Sequence, residues 1–158
     1  DPNDSGVMNE LLQLYEDSGS INEGIAFLKT IPEDKKNTPA VDYGIATALS
    51  ANGRIEESIT FYQKAIELDE DTDLVLTEDL ADAYGQIGRQ QDALDLYNNL
   101  AANVKDKDRL KTIQVKIVAT LIDNGDMESA KEAAEELKKV YPNDDWISTL
   151  FDSTSVNL

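Results

Sequence analysis

The chain has no cysteine and no histidine among its 158 residues. That removes disulfides, the usual zinc ligand sets, cysteine nucleophiles, Ser-His-Asp arrangements and the commonest general base. With no thiol to oxidise or protect, the sequence leaves the compartment unassigned, cytoplasmic by default. Basic residues are scarce: 14 against 32 acidic ones, for a net charge of −18. Such a chain repels nucleic-acid phosphates and anionic membranes, so a partner held by charge is expected to be basic. No apolar run has the length that spans a bilayer, so direct membrane insertion is not expected. Tryptophan occurs once and proline four times. Hydrophobic residues still make up 41% and charged residues 29%. This is a soluble balance with enough apolar matter for a core.

The chain repeats itself. ANGRIEESITFYQKAIELDED (51–71) and QIGRQQDALDLYNNLAANVKD (86–106) both carry Gly-Arg, then a small residue (Ser58, Ala93), then a tyrosine (Tyr62, Tyr97). Gly19, Gly53, Gly88 and Gly125 mark four such places, spaced by 34, 35 and 37 residues. Each lies between two stretches of helical apolar spacing, such as Leu80, Tyr84 and Ile87 before Gly88 and Ala93, Leu94, Tyr97 and Leu100 after it. Glycine past a helix end takes the left-handed conformation that closes it. The expected unit is helix, tight turn, helix, used four times.

This pattern resembles the tetratricopeptide repeat, whose 34-residue unit carries Trp-x2-Leu-Gly-x2-Tyr, then Ala-x3-Phe, then Pro. The third unit fits best, with Leu80, Ala81, Tyr84, Gly88, Ala93 and Tyr97. The second gives Ile45, Ala46, Leu49, Gly53, Ser58, Tyr62 and Ala65, and the fourth Ile117, Val118, Leu121, Gly125, Ala130, Ala134, Leu137 and Pro142. The first, with Leu11, Leu12, Tyr15, Gly19, Gly24 and Leu28, fits least in its second helix. No unit has the tryptophan, and units one to three lack the closing proline.

The resemblance implies an all-α, right-handed α-solenoid of about four helix-turn-helix units: residues 5–38, 39–72, 73–106 and 111–142. A capping helix at about 144–152 would carry Trp146, Ile147, Leu150 and Phe151 over the last unit's open face, with the DSTSVNL end frayed. Together these make a single domain over 1–158. Pro2 stands 17 residues before Gly19, as Pro142 stands 17 after Gly125, so the sequence is expected to be a piece of a longer chain.

Little in the sequence suggests chemistry. Asp69, Asp71 and Asp73 have the spacing that opens a calcium loop, but Leu74 and Leu80 stand where that loop needs Gly and Glu. No glycine-rich phosphate loop occurs, and no carboxylate pair stands apart from the rest. Asn3-Asp4-Ser5 has the glycosylation spacing, a triplet common by chance. Lys105, Lys107, Arg109, Lys111 and Lys116 cluster, but Asp106 and Asp108 interleave them and no aromatic does. That suits a local contact with an acidic neighbour, or a solvated loop, better than nucleic acid. No cofactor, no metal and no enzymatic activity are expected.

The resemblance instead implies a protein-interaction module, an adaptor, scaffold or assembly factor, whose first helices line a concave groove. The groove positions lie ten, six and three residues before each marker glycine. They are Asn9, Gln13 and Glu16 in unit one; Tyr43, Thr47 and Ser50 in unit two; Glu78, Asp82 and Gly85 in unit three; and Val115, Ala119 and Ile122 in unit four. The family's clamp for heat-shock chaperone C-terminal tails needs cations at such positions. None is present, and Glu78 and Asp82 would repel a carboxylate. The groove grades from polar through acidic to apolar, which suits a basic or hydrophobic protein segment. The alternatives are a structural, self-associating solenoid and a docking platform that regulates a folded enzyme.

Overall fold

The computed structural model describes residues 5–32, 39–69 and 74–156. Among them every regular element is a helix: α1 (Ser5–Asp17), α2 (Ile21–Lys29), α3 (Ala40–Ala51), α4 (Ile55–Leu68), α5 (Leu74–Gln86), α6 (Gln90–Asn103), α7 (Lys107–Asp123), α8 (Met127–Val140) and α9 (Asp145–Val156). None of these is long and apolar enough to cross a membrane. Two compact units are present, Asp1–Ile87 and Gly88–Leu158. Pro2, Asn3, Asp71 and Asp73, singled out above, lie outside the described residues, as do the side chains of Asn9, Glu16 and Phe151.

The four marker glycines all adopt positive φ, from 72° to 79°. This is the left-handed region, which a β-carbon disfavours by about 1–2 kcal/mol. At Gly19, Gly53 and Gly125 the residue after the glycine donates its N–H to the carbonyl five residues back: Ser20 to Tyr15 at 2.8 Å, Arg54 to Leu49 at 2.9 Å and Asp126 to Leu121 at 3.0 Å. That bond satisfies a carbonyl the helix leaves open and reverses the chain within two residues.

The recurrent Gly-Arg now has a cause. Arg54 and Arg89 sit at the N-caps of α4 and α6 with no side-chain cap bond. Each instead grips an acid three residues on. Arg54 donates to both carboxylate oxygens of Glu57 at 2.7 Å, and Arg89 donates to Asp92 at 2.7 Å. The acids thereby stay in the first helical turn, where the helix dipole favours them. The hydrogen bond from Arg54 holds the Glu57 carboxyl below the ordinary carboxylate value.

In unit Asp1–Ile87 the apolar faces of α1, α2 and α3 close around Leu12, Ile25, Leu28, Val41, Ile45, Ala48 and Leu49. The small residue early in each second helix is buried: Gly24, Ser58, Ala93 and Ala130. Gly24 differs from the rest for a steric reason. A β-carbon there would sit 2.7 Å from Tyr15 Cγ and 2.9 Å from its Cβ, the root of the side chain. The tyrosine before the first turn has therefore taken the space that alanine or serine fills elsewhere. Gly24→Ala raises helix propensity by up to about 1 kcal/mol yet must displace Tyr15, an overpacking cost of about 1–3 kcal/mol. We expect net destabilisation in urea titrations, and a smaller loss when Gly24→Ala is made in a Tyr15→Ala background, which lacks Cγ and Cδ2.

In unit Gly88–Leu158 the core gathers Val118, Ala130, Ala134, Leu137 and Ile147. Two boundaries differ from the sequence expectation. α7 starts at Lys107 rather than 111, because Asp106 caps it by accepting the Arg109 N–H at 2.8 Å. The basic cluster thus lies mostly on a helix. α9 runs to Val156 and takes in residues expected to fray. Fully buried Ile147 and half-buried Leu150 anchor it to the core, and packing of this kind outweighs the poor propensity of Ser and Thr.

Candidate functional site

The first helices of unit Asp1–Ile87 bring together residues that are one repeat apart in sequence. Tyr43 on α3 donates its hydroxyl to Asp79 Oδ2 on α5 at 2.8 Å. Its ring centroid lies 6.1 Å from that of Tyr62 on α4, with the planes tilted by 52°. Tyr62 is buried, and its hydroxyl hydrogen-bonds with Ser50 at the end of α3. Burial, followed by the negative charge of Asp79 and to a lesser extent Asp82, pushes the Tyr62 hydroxyl up to about 12. The Ser50 hydrogen bond opposes that rise. Two carboxylates of α5 therefore project negative potential onto the tyrosine pair, and Tyr62 stays neutral at any working pH.

A cleft of about 260 Å³ lies between α1 and α3. Leu12, Ile21, Ala48 and Ala51 give it an apolar lining, with Gln13, Thr47 and Asn52 as its polar members. The Gln13 amide also donates to Asp17 at 2.9 Å, and the Thr47 hydroxyl donates to the Gly44 carbonyl at 3.0 Å.

Of the sequence-selected residues in this unit, Gln13 and Thr47 share the cleft, Tyr43 and Ser50 meet through Tyr62, and half-buried Glu78 and Asp82 lie on α5. Asn9 and Glu16 belong to α1. Sequence reasoning passed over Asp79, one residue from a selected position. Its signal was the doubled acid Glu78-Asp79 facing an aromatic one repeat earlier.

In unit Gly88–Leu158 the apolar positions divide. Val115 and Ile122 pack against the cluster that includes Ile147 of α9, while Ala119 is exposed. Trp146 does not share in that burial and remains 55% exposed. α9 is fastened at its start by Asp144, whose carboxylate accepts the N–H groups of Trp146 and Ile147 at 3.1 and 3.0 Å and pairs with Lys111 of α7. The Lys111 ammonium also lies 5.3 Å from the Tyr141 ring centroid.

Lys111 first, then the Ile147 N–H, hold the Asp144 carboxyl below its ordinary 3.8. A depressed carboxyl stabilises the folded state above the unfolded value and loses that contribution as pH falls through the folded one. We expect α9 to stay docked at neutral pH and to loosen below about pH 4, read as falling fluorescence anisotropy of Trp146, the sole tryptophan. In Asp144→Asn the anisotropy at neutral pH should already be lower and this acid step should be missing.

Among the described residues no group of His, Cys, Asp and Glu could hold a metal ion. The Tyr43–Asp79 pair presents a hydrogen-bonded carboxylate beside an aromatic face.

Residues 37–106 match the family model of the tetratricopeptide repeat. They belong to the tetratricopeptide repeat family. No curated protein matches the chain in sequence. Solved structures do. A MamA double mutant of strain RS-1 aligns with a TM-score of 0.73 at 18% identity, covering 97% of this chain and 84% of that one. MamA from residue 41 onward of Desulfovibrio magneticus RS-1 gives 0.73 at 17% identity, with 97% and 84% covered. TPR-like repeats assigned to a Podosopora anserina kinesin light chain give 0.69 at 20% identity, with 89% and 76% covered. At these identities the likeness establishes the fold, that of the all-α tetratricopeptide solenoids. Tetratricopeptide repeats are protein-interaction scaffolds, and this fold is consistent with that role.

Proposed function

We propose that this tetratricopeptide chain is an adaptor that binds a basic protein segment on the first-helix face of unit Asp1–Ile87. The supporting observation is the Tyr43–Asp79 hydrogen bond, with Tyr62 and Asp82 beside it. A Lys or Arg side chain laid there meets an aromatic face and two carboxylates together. Cation–π attraction and charge-assisted hydrogen bonding then act on one group. The adjoining cleft with Gln13 and Thr47 receives a neighbouring apolar residue of the same segment. In unit Gly88–Leu158 two of the three apolar positions already serve the core around α9, so the basic part of the ligand carries recognition.

The test is isothermal titration of the chain with a synthetic peptide that alternates Lys or Arg with Leu, against a control peptide with Gln in place of each cation. Binding of the first that weakens with added salt, and none of the second, supports the reading. Equal binding of both peptides, or of neither, refutes it.

A further inference from the structure

The repeat pattern places its tryptophan three residues before its leucine. In the fourth unit that leucine is Ile117, so Gln114 stands at the tryptophan position. A cavity of about 330 Å³ opens at this point between α7 and α8. Gln114 and Ile117 line one side, and Ala133, Glu136, Leu137 and Val140 the other. A cavity of about 150 Å³ is enough for benzene, so this one admits an indole. The Glu136 carboxylate accepts from Lys139 Nζ at 2.6 Å, which offsets its charge. The Gln114 amide oxygen is an acceptor suited to an indole N–H.

The same unit exposes an indole of its own. Trp146, the sole tryptophan, is 55% exposed, and Val140 at the rim of the cavity is 65% exposed. Lys111, one turn before Gln114 on α7, pairs with Asp144, two residues before Trp146. Cavity and indole therefore lie toward one end of the α7–α8 hairpin. The charge of the chain is also uneven. Residues 88–158 hold nine basic and thirteen acidic residues, a net −4, whereas residues 1–87 hold five and nineteen, a net −14. Repulsion between two copies is weakest when they meet through unit Gly88–Leu158.

We infer that unit Gly88–Leu158 is a self-association surface, in which Trp146 of one copy enters the α7–α8 cavity of a second. Indole and cavity belong to one end of the unit, so the exchange is reciprocal about a two-fold axis and the assembly closes as a dimer. Two inserted indoles and the walls they cover bury on the order of 600 Å², against about 1,200 Å² or more for a stable complex. The dimer is accordingly weak, and local concentration governs it. This pairing uses none of the residues of the first-helix face of unit Asp1–Ile87 and does not depend on that face being occupied.

Sedimentation velocity of the full chain from about 10 μM to about 1 mM covers the range of weak complexes. The chain should pass from monomer to dimer, with Trp146 emission moving to the blue in step. Added salt should favour the dimer, because it screens the net −18. Trp146→Ala should raise the dimer Kd at least tenfold. Gln114→Trp should do the same by filling the cavity from within, and its thermal midpoint should not fall, so loss of the dimer there is not loss of the fold. A monomer at every concentration, or a dimer that survives either substitution, overturns the inference. Blue-shifted emission that does not change with concentration also overturns it, since Trp146 would then be covered within its own chain. Saturable binding of N-acetyl-tryptophanamide by a chain that stays monomeric overturns it as well, since the cavity would then serve another protein's indole.

Discussion

Ile147→Ala should cost about 2–5 kcal/mol and release α9. Ile147 is fully buried and joins α9 to Val118, Ala130, Ala134 and Leu137 of α7 and α8. Truncating it removes its transfer energy and leaves a cavity that the short side chains around it fill poorly. Ile147→Val, which removes one methylene, should cost only about 0.5–1.5 kcal/mol. Amide hydrogen exchange separates the local consequence from the global one. In Ile147→Ala the amides of α9 should lose protection while those of α3 and α4 keep theirs. Release of α9 also uncovers Val115 and Ile122, the apolar positions that the repeat assigns to a groove. Unchanged protection in α9 would mean that Leu150 and the Asp144–Lys111 pair hold the helix without Ile147.

The second large effect concerns binding. Glu78→Lys with Asp82→Lys should weaken a Lys- or Arg-rich peptide by roughly tenfold to a hundredfold. The exchange removes attraction and adds repulsion at half-buried positions, where charges are screened less than at full exposure. Most of the change should appear at low salt and shrink as salt is raised. Both residues are half-buried on α5, so helical circular dichroism is read alongside binding. Loss of binding together with loss of helical circular dichroism would instead assign the effect to unfolding of α5.

The repeat made most of the fold legible. Glycine at positive φ is a backbone requirement that only a few residue types meet, so Gly19, Gly53, Gly88 and Gly125 marked every hairpin turn. Apolar spacing then set the helices on either side. Two features escaped. Asp106 caps α7 through a bond only three residues long, but in a sequence with 32 acids a capping aspartate looks like any other. α9 extends through Ser and Thr because Ile147 docks, and local propensity does not carry that information.

The site was less legible than the frame. Counting back from the glycine selected Tyr43, Thr47, Ser50, Glu78 and Asp82, which describes a face of the first helices. It could not show that Tyr62, a packing residue of the second helix, would stand beside Tyr43. Nor could it show that Asp79 rather than Glu78 would receive the Tyr43 hydroxyl.

The central claim is that the first-helix face of unit Asp1–Ile87 receives a basic segment. The most direct measurement is NMR mapping of the isotope-labelled chain during titration with the alternating Lys- or Arg- and Leu-containing peptide. Saturable shifts confined to Gln13, Tyr43, Thr47, Asp79 and Asp82, absent in the Glu78→Lys/Asp82→Lys variant, are the predicted result. Shifts that instead follow exposed carboxylates across both units, such as Glu132 and Asp95, and that survive in the variant would contradict it. They would reduce the acidity of this chain to a diffuse charge with no built site.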